Sequence, residues 1–116
     1  MNYRRGDVVL VMFPDSNLRT AKRRPALVVQ ADNLKTGLNQ TIVAMITSNL
    51  ARSNHPSRIS VDIQTAEGQI SGLRLNSVIM TDNISAIIAR AIDRKIGIWT
   101  NMAIIETALS HTFDLP

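Results

Sequence analysis

Four cationic side chains, Arg19, Lys22, Arg23 and Arg24, lead into Pro25, and Pro25 opens the run Ala-Leu-Val-Val, too apolar and β-branched to be anything but a buried strand. Proline fixes its own φ and pushes the residue before it toward an extended conformation, so the Arg24 guanidinium leaves a defined backbone at the strand entrance. The pattern predicts a strand over Pro25 to Ala31, preceded by a polar, basic loop from Pro14 to Arg23. That loop is long for a hairpin connection, and its length and charge suggest a flap that faces a substrate. An isolated Arg-Pro in a solvated loop would carry no such meaning.

At 116 residues the chain is expected to be one domain able to bury a core without staples. It has no cysteine, which removes disulfides, thiolate metal sites and a cysteine nucleophile. No apolar run approaches the ~20 residues of a membrane helix, and no apolar N-terminal segment resembles a signal peptide, so a soluble cytoplasmic protein with no membrane contact is expected. A formal charge of +4 and a pI near 10.4 favour a polyanionic partner. The aromatics are few, Tyr3, Phe13, Trp99 and Phe113, which argues against a sheet that binds RNA by stacking several bases on rings.

Along the chain, Asp7 to Phe13 reads as a central strand apolar on both faces, ended by Pro14. Asp32 is expected to cap one helical turn through Lys35, closed at Gly37. Thr41 to Ile46 is a third strand that delivers Thr47 and Ser48 at its end. Asn49 to Ser57 is an exposed loop, Ile59 to Ile63 alternates as a half-buried strand, and Glu67-Gly68 marks a turn. Val78 to Met80 and Ile84 to Ile88 form two further strands. Asp93-Arg94-Lys95 turns into a short strand ending at Trp99, and Thr100 or Asn101 then caps a helix with Met102, Ile105, Ala108 and Leu109 on one face. Seven short strands and one firm helix fit an α+β, mostly β, compact antiparallel barrel rather than a βαβ fold. His55 and His111 stand in no metal-ligand spacing and the carboxylates are scattered, so neither a metal nor another cofactor is expected. His55 reads as a loop residue, and His111 as a helix-terminal one.

Three blocks in order, Arg5-Gly6-Asp7-Val8-Val9-Leu10-Val11, Lys22-Arg23-Arg24-Pro25-Ala26-Leu27-Val28-Val29 and Ile46-Thr47-Ser48-Asn49, resemble the PemK/MazF family, the toxins of type II toxin-antitoxin pairs. Ser77-Val78-Ile79-Met80-Thr81-Asp82-Asn83 is similar to a fourth block, and the Gly97 region before the last helix also fits, so the likeness spans essentially the whole chain. It implies a small antiparallel SH3-like barrel with a C-terminal helix. It also implies a metal-independent, sequence-specific endoribonuclease acting on single-stranded mRNA, a homodimer, and a cognate acidic antitoxin whose tail lies across the basic groove. Apolar surface on Ile84 to Ile92 agrees with a self-complementary interface.

Cleavage of RNA by its own 2′-hydroxyl needs a proton acceptor, a proton donor for the departing 5′-oxygen, and donors that hold the extra charge on phosphorus. The resemblance assigns catalytic roles to Arg24 and Thr47. Arg24 can give phosphate two parallel hydrogen bonds, and a hydroxyl of Thr47 or Ser48 could donate to the same oxygens. One branch of the family places a carboxylate base at Asp82 two residues after a catalytic Arg; here the earlier position is Met80, which favours the Arg-plus-Thr version and a structural Asp82. Asp7 either orients Arg24 or is simply solvated. Arg19, Lys22, Arg23, Asn17 and Asn83 complete the expected RNA contacts. The competing expectation is a non-catalytic small-barrel toxin or nucleic-acid-binding module, such as a gyrase poison.

Overall fold

A computed structural model describes residues 3–14, 17 and 19–116. Its strands are β1 (Asp7–Pro14), β2 (Ala21–Val28), β3 (Gln40–Thr47), β4 (Arg58–Val61), β5 (Ser77–Ile88) and β6 (Ile92–Ile98). Helix α1 (Ala66–Ile70) joins β4 to β5, and α2 (Met102–Phe113) follows β6. All strand pairs are antiparallel, in the order β4-β5-β3-β2-β1-β6.

The continuous apolarity of the strands is explained by two cores, one on each face, fed by alternate residues. Val8, Leu27, Ala44, Ile46 and Ile79 join Trp99, Ile105 and Ala108 in the first, under α2. Val9, Val11, Ala26, Val28, Val43, Val78, Ile87 and Ile92 are among the residues of the second. α2 begins at Asn101, whose side chain accepts from the Ile104 N–H, and ends at Asp114 in the left-handed region, φ 53°. Its expected inner face is the observed one: Ile105 and Ala108 are buried, and Met102 and Leu109 pack beside them.

The sheet must curl, for a reason of length. β5 and β6 are four strand steps apart, about 19 Å if flat, yet only Ala89–Ala91 separates them in sequence. That link can reach about 14 Å at most. The curl brings the edges near one another without a ladder between β4 and β6, so the expected barrel is an open, strongly coiled sheet. The gap is filled by the end of α1. A β-carbon on Gly97 would fall onto the Ser71 backbone, and one on Gly72, at φ +75°, onto the Ile96 carbonyl.

Several expectations change. Lys22, Arg23 and Arg24 lie inside β2, paired with Phe13, Met12 and Val11, not in a loop before it. The flap's tip at Asp15, Ser16 and Leu18 falls outside the described residues. Glu67-Gly68 belongs to α1, with Thr65 accepting from the Gly68 N–H. Asp32 caps no helical turn; its carboxylate takes the Arg5 N–H at 2.7 Å. Two apolar runs fuse into β5, giving six strands among the described residues instead of seven. The apolar surplus expected over Ile84 to Ile92 is also absent, because the coiled sheet gives it somewhere to go. Ile87 and Ile92 are core residues, Ile84 packs on the first core, and Ile88 alone of these isoleucines is exposed.

Backbone-to-backbone contact at Gly97 leaves no side chain to yield, so Gly97→Ala should destabilise the fold by about 3 kcal/mol, the upper end of overpacking costs. Urea unfolding is expected to show a lower midpoint at unchanged slope.

Candidate active site

Pro25 pairs with Leu10 of β1 on one side, but toward β3 it has no N–H to offer. The β2–β3 ladder stops at Ala26, opposite Met45. Beyond that rung β2 continues along β1 to Ala21, while β3 continues along β5 to Thr47. The two strands therefore fork. Extending the register by two residues sets Arg24 opposite Thr47, the two positions to which the family resemblance assigns catalytic roles.

The fork opens into a groove of about 1160 Å³. Arg23 and Arg24 line it from β2, Thr47 and Ser48 from the end of β3, and Asn83 and Ser85 from β5. Arg94 and Lys95 of β6 and Arg74 after α1 add further cations, so among the described residues five cations line the groove and no carboxylate does. Leu10, Phe13, Leu73 and Leu75 supply apolar surface between them. Such a surface attracts an extended polyanion with apolar faces.

Arg24 is exposed and, among the described residues, its side chain makes no ion pair or hydrogen bond, so its five guanidinium donors are available. Thr47 is half-buried, and its Oγ1 accepts the Asn49 N–H at 3.1 Å, which leaves the hydroxyl proton to be donated outward. Arg23 is held by Asp93, Nε to Oδ2 at 3.0 Å. Ser48 is exposed beside Thr47. Arg19 and Lys22 are exposed but do not line the groove, and Asn17 turns inward on its own loop, its amide oxygen accepting the Arg19 and Thr20 N–H groups at 2.9 and 3.2 Å.

β5 carries three extra residues between Met80 and Ile84, which pair with the adjacent Met45 and Ala44. Thr81, Asp82 and Asn83 bulge out there, and the bulge is pinned. The buried Thr81 hydroxyl lies 2.6 Å from the Ser57 carbonyl and 2.8 Å from Thr112 Oγ1. Asp82 pairs with Arg58, Nη2 to Oδ2 at 2.8 Å, so that Asn83 is the bulge residue left to line the groove. The guanidinium's hydrogen bonds hold the Asp82 carboxyl below its ordinary range, against the opposing effect of burial, and raise Arg58 in turn. An acid so stabilised as its anion is a weak base.

Asp7 does not reach Arg24, whose partner on β1 is Val11, four residues along the strand. It takes the Arg4 N–H at 2.9 Å and Lys95 Nζ at 3.2 Å instead. His55 accepts from the Ser57 N–H at 3.1 Å, with the Ser57 hydroxyl 2.7 Å from the same ring nitrogen, and its ring lies edge-on to His111 with centroids 6.0 Å apart. Neither histidine lines the groove. Sequence reasoning missed Arg74, Arg94 and Lys95, since only the curl of the sheet brings β6 and the segment after α1 to face β2 and β3.

The chain matches, over residues 4–113, the model of the PemK-like, MazF-like toxin of type II toxin-antitoxin system. Solved structures share the fold. An endoribonuclease from a mycobacterial species superposes with a TM-score of 0.75 at 19% identity, covering 100% of this chain and 95% of that one. A mycobacterial endoribonuclease in complex with its cognate antitoxin gives 0.74 at 20% identity, covering 98% and 97%. A MazF toxin of Mycobacterium tuberculosis gives 0.74 at 22%, covering 95% and 98%.

The lowered Asp82 carboxyl makes a signed prediction. A folded-state pKa below the unfolded value contributes stability that is present above about pH 4 and lost as pH falls through the folded value. Asp82→Asn should therefore flatten the acid limb of stability below about pH 4, read from urea midpoints at successive pH values.

Proposed function

The chain belongs to the PemK-like, MazF-like toxins of type II toxin-antitoxin systems, and we propose that it is a metal-independent endoribonuclease that cuts single-stranded mRNA in the cytoplasm. The observation that carries this reading is the Arg24 side chain, unpartnered among the described residues, set across a fork from the Thr47 hydroxyl in a cationic groove whose described lining holds no carboxylate.

In the reaction the 2′-oxygen forms a bond to phosphorus as its proton leaves, and the bond to the 5′-oxygen breaks as that oxygen gains a proton. The products are a 2′,3′-cyclic phosphate and a 5′-hydroxyl. Arg24 serves chiefly as a stabiliser of the phosphorane, because a guanidinium keeps its proton near neutrality and offers paired donors to two oxygens. Thr47 donates its hydroxyl to the same charge, its lone pair being engaged by the Asn49 N–H. Arg23 is held against Asp93 and contributes field rather than a free donor, while Lys22 and Arg19 steer the strand from outside. Asp82 is a support for the bulge, not a base.

The same groove suits an acidic antitoxin segment, which would compete with RNA and bind more weakly as salt rises. Self-association into a homodimer completes the reading; mass measurement at micromolar concentration should show twice the chain mass.

Removing a preorganised donor aimed at developing charge costs on the order of 100- to 1000-fold in rate. Folded Arg24→Ala should fall in that range in single-turnover cleavage of saturating RNA, and Arg24→Lys should stay strongly impaired because it keeps the charge without the paired hydrogen bonds. Lys22→Ala should instead weaken association and recover at low salt. Near wild-type cutting by folded Arg24→Ala would remove it from the mechanism. Total RNA with no new ends would favour a module that binds without cutting.

A further inference from the structure

We propose that Lys95 is a phosphate-binding residue of the groove and that the buried carboxylate of Asp7 is a positioning residue acting through it. The proposal rests on the RNA reading above and adds a second binding wall, on β6, facing the Arg24 wall on β2.

Asp7 is only 6% exposed, and a buried carboxylate must have partners. Both its oxygens are engaged: Oδ2 accepts the Arg4 N–H at 2.9 Å, and Oδ1 lies 3.2 Å from Lys95 Nζ. The first contact is local and closes the turn before β1. The second reaches across to the neighbouring strand, where Lys95 pairs with Val9. An ammonium has three donors, so the pair with Asp7 leaves others for a ligand. Nothing on Asp7 itself lines the groove, whereas Lys95 does.

The register of β6 supports the same placement. Val8 pairs with Gly97 and Val9 with Lys95; Leu10 pairs with Arg94 and Val11 with Ile92. One residue is thus skipped on each side of the Arg94-Lys95 pair, Ile96 and Asp93. Irregularities of this kind at a sheet edge re-aim side chains and raise the local twist. Here both cations between the two irregularities, Arg94 and Lys95, line the groove. Charges on an edge strand also discourage unwanted strand pairing. That task needs neither a buried carboxylate beneath the lysine nor the lysine's presence in the groove.

A free lysine loses rotamer freedom when it is fixed on a ligand. Tethering by Asp7 removes part of that loss before RNA arrives, at the cost of cancelling some of the groove's positive potential. The two effects have opposite signs for Asp7→Asn, which makes the proposal testable. If only charge matters, adding a unit of positive charge tightens RNA binding. If Asp7 positions Lys95, the same change weakens it.

The probe is a short single-stranded 2′-O-methyl RNA, whose capped hydroxyls cannot attack phosphorus, with affinity followed by fluorescence anisotropy over a salt series. Lys95→Met should weaken binding several-fold and make the log-affinity against log-salt slope shallower by about 0.7. Asp7→Asn, whose amide oxygen can still accept the Arg4 N–H, should also weaken binding several-fold. In the Lys95→Met background it should do nothing further. Asp7→Glu, which keeps the charge and displaces the carboxylate by a methylene, should repeat the loss and serves if Asp7→Asn does not fold. An unchanged slope in Lys95→Met, tighter binding by Asp7→Asn, additive effects of the two, or wild-type binding by Asp7→Glu would each overturn the proposal. Failure of the wild-type protein to bind the oligonucleotide or cut its unmodified counterpart would instead remove the RNA reading beneath it.

Discussion

Pro25 has no N–H to give β3, and the ladder between β2 and β3 ends at the next residue. In the interior of a sheet such a residue would leave a carbonyl unpaired, which is why proline is rare there. Here the loss falls where the two strands part, so water or a ligand can occupy the space. The fork is therefore a direct consequence of one residue type. Without it, β2 and β3 could stay paired away from their connecting loop, and Arg24 and Thr47 would become an ordinary cross-strand pair rather than the two sides of an opening.

The fork would be a shallow notch if the sheet were flat. The short link from β5 to β6 forces the curl, and the contact of Gly72 and Gly97 lets the end of α1 press on β6 at backbone distance. Arg74, Arg94 and Lys95 thereby face the fork and turn it into a groove. Local chemistry at Pro25 and global topology at the opposite edge thus act on the same space. Neither alone would gather five cations around it.

The three blocks that suggested the family all fall on the elements that build the fork: β1, β2 and the end of β3. Their strands and the inner face of α2 were legible because their patterns are local, apolar in runs or at helical spacing. β2 begins earlier than its composition predicts, and the cause is physical. Lys22, Arg23 and Arg24 resemble a loop in composition, yet β1 supplies a neighbour for each of them, and tertiary pairing overrode propensity. Asp7 and Asp82 are charges near the proposed chemistry, but their partners, Lys95 and Arg58, come from distant segments that no spacing rule connects. Arg94 and Lys95 look like turn residues for the same reason: an edge strand's contribution to a groove depends on the curl, which the sequence carries only in the brevity of a three-residue link.

The distribution of ion pairs gives the groove its character. Asp93, Asp82 and Glu106 bind Arg23, Arg58 and Arg5, and Asp7 binds Lys95, yet none of these carboxylates lines the groove. Of the five lining cations, Arg24, Arg74 and Arg94 make no ion pair among the described residues. Exposed ion pairs add little to stability, so the arrangement is not explained as a device for holding the fold together. Its effect is on potential. Like charges gathered on one concave surface reinforce one another within a Debye length of about 8 Å at physiological salt. The two paired cations supply rigid positions and the three unpaired ones supply net attraction, a division that lets a polyanion be drawn in by field and then held by geometry.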